Sequence, residues 1–302
     1  MRQIYLGSGA VALAAILWSI DGLLRRALFS LPPSVVVFWE HAFGFLILLP
    51  FIIFFWRGFR NFSIRQWLAL IVVAFLSGAL GTIFYTAALG KVSFIPFSVV
   101  VLLQQLQPIF AISAAGFMLR EPLGKRFFTF AVLALVAAYF VSFPDLKVNL
   151  ETDAGTLAAA LLAIGAAVSW GISTALSKYA LKNVSSFHAT AARFGLTIFF
   201  AFLVTLFLGK GIEITEVSAV QWKYIAAITF STGLVALFIY YFGLKRILAS
   251  RSTIIELIWP VSAIFIGYFF LGESLSITQW LGSIALVAII LFIIKNPRLK
   301  RG

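Results

Sequence analysis

Ten runs of about twenty apolar residues, each bounded by charge, Gly or Pro, follow one another along the chain. A helix of about twenty such residues crosses the hydrocarbon of a bilayer. Hydrocarbon offers no hydrogen bonds, so each run must pair its own backbone groups and is predicted to be a helix. The runs lie near 5–24, 34–55, 67–88, 94–118, 127–143, 156–176, 187–208, 222–243, 252–271 and 277–294 of 302 residues, which leaves no room for a separate soluble domain. Composition agrees: 62% of the residues are hydrophobic and 11% charged, against roughly 45–50% and about 25% in soluble domains. The expected fold class is an all-α integral membrane protein with ten transmembrane helices.

The balance of 23 Lys and Arg against 10 Asp and Glu gives a net charge of +13. In a soluble chain that would suggest nucleic acid, but here the basic residues sit at the ends of apolar runs and read as orientation signals. Sixteen of them fall on one side of the membrane and six, including Arg25 and Arg26, on the other, with Arg193 left inside a span. Both termini are therefore expected in the cytoplasm, in a multi-pass protein of the cytoplasmic membrane. The first run carries Trp18 and Asp21 and lacks a small-residue cleavage pattern, so it reads as a span and not as a signal peptide. With no cysteine, and with His41 and His188 far apart, neither a disulfide nor a short-range metal motif is available. No metal, cofactor or nucleic-acid partner is expected. The expected partners are the bilayer and a small-molecule substrate, with the chain a monomer or a homodimer.

The two halves repeat. Trp18 matches Trp170, Pro108 matches Pro260, and Leu119-Arg120-Glu121 matches Leu271-Gly272-Glu273, all at an offset of 152. Gln66-Trp67 matches Gln221-Trp222, Gly78 matches Gly233 and Tyr85 matches Tyr240, at an offset of 155. Five spans per half is an odd number, so the second half enters the membrane from the opposite side. Such inverted repeats are typical of secondary transporters, with the substrate site at the repeat interface near mid-membrane. The expected organisation is a first repeat over 1–143, a linker over 144–154 and a second repeat over 155–302.

Two five-span repeats, each opening on a Trp-bearing helix and carrying in its fourth span a Pro followed about a dozen residues later by Glu, resemble the EamA-type drug/metabolite transporter superfamily. The resemblance covers about 7–142 and 155–294. It implies a central cavity lined mainly by spans 1, 3, 4, 6, 8 and 9, and movement of small metabolites such as amino acids. Ala192-Arg193-Phe194 fits the family pattern, whereas Trp39-Glu40-His41 departs from it.

Pro108 and Pro260 each lack an N–H and should free the carbonyl four residues earlier, at Gln104 and Glu256. A weakened turn with a polar side chain at matching points of both halves is the best pointer to a transporter site. Gln105, Gln107 and Trp259 lie beside it. Charge at membrane depth is costly, about 2.5–3.5 kcal/mol per group on insertion scales, so Glu256, Glu40, His41 and Arg193 require pairing or water. Arg193 is expected either to pair with an acid on another helix or to bind a substrate carboxylate. Asp21 and His188, near span ends, read as solvated, with Asp21 also a possible coupling residue. Trp18 and Trp170 could line a cavity or simply pack. Gly155, Ala159, Ala163, Ala167, Gly171 and Ala175 form a stripe for close helix packing.

These residues point to a secondary-active transporter, not an enzyme, moving an amino acid, a related metabolite or a drug by alternating access. Substrate contact is assigned to Trp18, Gln104, Gln105, Pro108, Trp170, Arg193, Glu256, Trp259 and Pro260. Proton coupling is assigned to Glu256, with Asp21 or Glu40 as alternatives. A lipid or lipid-linked sugar flippase of the same fold is the second reading, and a membrane-embedded enzyme the third. No phosphate loop or hydrolase motif is present.

Overall fold

The computed structural model describes residues 2–91, 100, 103–142, 154–271 and 274–296. The predicted linker, apart from its last residue, and Glu273 lie outside them. Ten helical units follow the predicted runs: α1 (Arg2–Trp18, continued by Asp21–Arg26), α2 (Pro33–Phe55), α3 (Ile64–Leu89), α4 (Gln107–Met118) and α5 (Lys125–Ser142). The second half supplies α6 (Ala154–Ala180), α7 (Ser186–Phe207), α8 (Ala219–Leu244), α9 (Ala249–Ile255, continued by Ile258–Leu271) and α10 (Ile277–Lys295). Among the described residues nine of these are long and apolar enough to cross a membrane, and α4 is a shorter apolar helix.

Packing follows the repeat. Helix α2 packs on α7, and α5 on α10. Helix α1 lies against α8 and α9, just as α6 lies against α3 and α4. Exchanging the halves leaves this list of contacts unchanged, as a pseudo-two-fold axis between two inverted five-helix repeats requires. Close approach depends on small residues. A methyl group on Gly243 would meet the backbone oxygen of Gly7 at 2.7 Å, and one on Gly171 the carbonyl oxygen of Gln107 at 2.8 Å. The stripe on α6 works the same way, with Ala159, Ala163, Ala167 and Ala175 fully buried.

Repeat-related devices also set helix starts and breaks. Helices α3 and α8 open with matching capping boxes, Ser63 with Gln66 and Ser218 with Gln221, which satisfy orphan N–H groups reciprocally. Both then pass through a π-helical segment, Ala74–Gly81 in α3 and Thr229–Gly233 in α8. A π-bulge shifts the i→i−4 ladder by one residue and is frequent at functional sites. Before Pro108 and Pro260 the chain turns at Gln105–Leu106 and Glu256–Leu257. The Glu256 carbonyl, expected to be free, instead accepts the Trp259 N–H at 2.9 Å, because the turn tightens to a three-residue bond. Beyond α4, the Glu121 carboxylate accepts the N–H groups of Ala249 (2.7 Å) and Ser250 (3.0 Å), capping the start of α9 from another helix's loop.

Candidate functional site

The breaks in α1, α9 and ahead of α4, together with the π-segments of α3 and α8, converge on one central cavity of about 180 Å³. All eleven residues assigned from the sequence line it: Trp18, Asp21, Glu40, Gln104, Gln105, Pro108, Trp170, Arg193, Glu256, Trp259 and Pro260. Residues not assigned from the sequence line it as well, among them Arg25, His41, Ser77, Tyr85, Ser173 and Tyr240. Several could have been found by carrying each intramembrane polar residue across the repeat offset: Ser77 is the mate of Thr232, and Ser173 the mate of Asp21.

The two tryptophans bridge the halves. Trp18 Nε1 donates to the carbonyl of Thr232 at 2.9 Å, and Trp170 Nε1 to that of Ser77 at 3.2 Å. Both acceptors lie in the π-segments, where the slipped ladder leaves carbonyls in need of donors. Each indole also meets a tyrosine ring, Trp18 with Tyr240 at 5.1 Å and Trp170 with Tyr85 at 5.4 Å between centroids. The cavity therefore has two repeat-related aromatic walls whose indole N–H groups are already engaged.

Arg25 corrects the sequence reading. Counted as a loop cation, it is instead buried, with Nε 2.5 Å from Asp21 Oδ2 and Nη2 2.8 Å from Glu40 Oε2. Its Nη1 donates to the Thr86 hydroxyl at 3.2 Å, and the Thr232 hydroxyl donates to Asp21 Oδ1. Asp21 is accordingly buried and not solvated at a span end. Buried charges persist where partners satisfy them, and here one guanidinium serves two carboxylates drawn from α1 and α2.

Arg193 departs from the expected ion pair. Its Nη2 donates to Ser77 Oγ at 2.8 Å and its Nη1 to the Tyr241 hydroxyl at 3.1 Å, and no carboxylate pairs with it among the described residues. Glu256 is its opposite in charge. Oε2 accepts from Gln107 Nε2 at 2.9 Å, and Oε1 from the hydroxyls of Tyr240 (2.9 Å) and Ser252 (3.0 Å), all neutral donors. Gln105 Nε2 donates to Ser142 Oγ at 2.7 Å.

Nine buried side-chain polar atoms lack a hydrogen-bond partner among the described residues. Five of these belong to the cavity: Gln104 Nε2, Gln105 Oε1, Ser173 Oγ, Arg193 Nε and Thr253 Oγ1. Buried polar groups are normally satisfied, so a concentration of orphans around one space marks where water or a ligand completes them. Donors, acceptors, aromatic faces and both signs of charge thus surround one cavity, the mixture of apolar walls and convergent polar groups typical of a small-molecule site.

Known proteins share this architecture. The EamA-like transporter family model matches twice, over residues 6–143 and 157–295. The riboflavin transporter ImpX of Fusobacterium nucleatum is 33% identical, across 96% of this chain and 97% of its own. An uncharacterized transporter of Archaeoglobus fulgidus is 27% identical, across 93% of this chain and 94% of its own. One crystal structure superposes with a TM-score of 0.75 at 16% identity, over 99% of this chain and 97% of that one, a likeness of fold. With a family model covering both halves and relatives that are transporters along their length, this chain belongs to the EamA-like transporter family and is a multi-pass membrane transporter.

Proposed function

We propose that this transporter moves riboflavin, or a similarly flat heteroaromatic compound with a polar edge, by alternating access of its two inverted repeats about the central cavity. The observation that carries the reading is the pair of Trp–Tyr walls, Trp18 with Tyr240 and Trp170 with Tyr85, beside the unpartnered amide atoms of Gln104 and Gln105. A planar ring system stacks on such walls, while carbonyl and N–H groups on its edge suit an amide donor and an amide acceptor. The 33% identical relative is named a riboflavin transporter, which supports the same substrate. Proton coupling is assigned to Glu256, whose carboxylate faces the cavity bonded to neutral donors and has no ion-pair partner among the described residues, so that protonation cancels a costly charge. The charge asymmetry of the loops supports a cytoplasmic membrane with both termini inside.

A second reading, an amino acid, rests on Arg193 and Glu256, a cation and an anion in one cavity. Thermal unfolding of the detergent-solubilised protein against riboflavin and a panel of amino acids separates the two, because a ligand of the native state raises the melting temperature. Riboflavin is expected to stabilise the protein and to quench its tryptophan fluorescence. Trp18→Ala or Trp170→Ala should weaken binding about 2- to 13-fold, the worth of one aromatic contact of about 0.5–1.5 kcal/mol. Stabilisation by an amino acid and not by riboflavin would transfer the assignment to the second reading. Riboflavin uptake into proteoliposomes should respond to an imposed proton gradient, and Glu256→Gln should remove that response. An unchanged response in the variant would refute coupling at Glu256.

A further inference from the structure

His41 lies in α2, 4% exposed, beside the acid cluster and on the wall of the cavity. Its Nδ1 is 2.9 Å from the carbonyl oxygen of Val37, one turn earlier. A carbonyl only accepts, so in the neutral ring Nδ1 carries the hydrogen and Nε2 keeps a basic lone pair. The ring packs against Phe194 at a tilt of 37°, with centroids 4.7 Å apart. At the offset of 152 its repeat mate is Arg193, so one half carries a permanent cation where the other carries a base that can become one.

The surroundings make that difference matter. Glu40 adjoins His41 on the same helix, while Arg25 of α1 and Arg193 of α7 act on it from the packed neighbours. Asp21 of α1 and Tyr85 of α3 line the same cavity. From α8 come neutral groups, the hydroxyls of Thr229 and Thr232, bound to the Glu40 carbonyl and to Asp21. The ion cluster beside His41 holds two carboxylates, Asp21 and Glu40, on one guanidinium, that of Arg25. One negative charge is left over, and one proton on His41 balances it. In a low-dielectric enclosure the gain of that one charge matters, and a proton bound more tightly in one arrangement of helices than in another shifts their populations.

We propose that His41 is a proton site of this transporter, distinct from Glu256, whose protonation makes it the counterpart of Arg193 and shifts the access state of the cavity. The proposal is independent of which substrate the cavity carries. The chain contains two histidines, so protein labelled only in histidine gives two imidazole signal sets, and His188→Gln assigns them. The His41 signals are expected to begin in the Nδ1–H tautomer and to titrate as a single proton between roughly pH 5 and 8, the window open to imidazole. In the naturally cysteine-free chain, Thr82→Cys places a thiol at a half-buried position on the cavity wall. Its labelling rate by an impermeant maleimide should change across the same window, by about tenfold where one access state holds the His41 proton about tenfold more tightly than the other. Adding His41→Gln or His41→Arg should hold the rate at opposite plateaus, whereas Glu256→Gln should keep the step. An imidazole of His41 that does not titrate in that window overturns the proposal, and so does a labelling step that persists in His41→Gln. Neither readout uses riboflavin, so failure of the substrate assignment leaves this test intact.

Discussion

The two repeat-related polar clusters beside the cavity occupy equivalent places and are built from different chemistry. In one, Arg25 is shared by Asp21 and Glu40 and steadied by Thr86 and Thr232. The mates of those five residues are Ser177, Ser173, Ala192, Tyr241 and Ser77. There the cation comes instead from Arg193, which bonds Ser77 and Tyr241, and Ser177 lies 3.1 Å from the Tyr241 hydroxyl. The backbone devices are nevertheless the same on both sides: a π-segment, an indole bonded to its carbonyl and a tyrosine against that indole. Symmetry of the repeat has thus been kept in the main-chain scaffold and relaxed in the charges it holds. Opening the ion cluster would separate desolvated opposite charges, whereas opening the hydroxyl cluster would break bonds to neutral groups, so the two ends meet different resistance.

Breaking the ion cluster should have the largest effect. Arg25→Gln leaves two carboxylates buried without a cation and is expected to destabilise the protein by about 3–5 kcal/mol, read as a lowered melting temperature in detergent. Arg193→Gln strands no acid and trades two bonds to hydroxyls for those a glutamine amide can still make, so a smaller loss of about 1.5–3 kcal/mol in all is expected. Equal losses in the two variants would show that the chemical difference carries no energetic weight. The shared scaffold is tested by Trp18→Phe and Trp170→Phe, each removing one indole donor from a π-segment carbonyl, at about 1–3 kcal/mol. Similar shifts are expected for both, and a large inequality would mean that the two π-segments are not equivalent. The smallest effect belongs to the capping boxes, where Ser63→Ala and Ser218→Ala should each cost about 1 kcal/mol, measurable as matched small decreases in melting temperature.

Much of the fold was legible in the sequence because hydrocarbon makes a local demand. Each span must satisfy its own backbone, so apolar length alone placed the helices, and odd parity together with matches such as Trp18 with Trp170 implied inversion. The candidate site was legible for a related reason. Polar residues are costly in the membrane, so Asp21, Glu40, Arg193 and Glu256 stood out, and the paired prolines directed attention to Gln104 and Glu256. Roles were harder to read than positions. Arg25 resembled a loop cation because its distance from the span end says nothing of Glu40, which reaches it only through the packing of α1 and α2. Arg193 resembled half of an ion pair until its helix rotation set it against Ser77 and Tyr241.

By itself, then, the sequence determined the spans, their inversion and the inventory of groups that a bilayer would not tolerate without purpose. Only the tertiary structure decided which of those groups meet. Thr232 reaches Asp21 across 211 positions and Gln107 reaches Glu256 across 149, and such pairings depend on helix rotation and tilt that no local pattern encodes. The π-segments belong with them, since their altered ladder is stabilised by an indole from the other half of the chain.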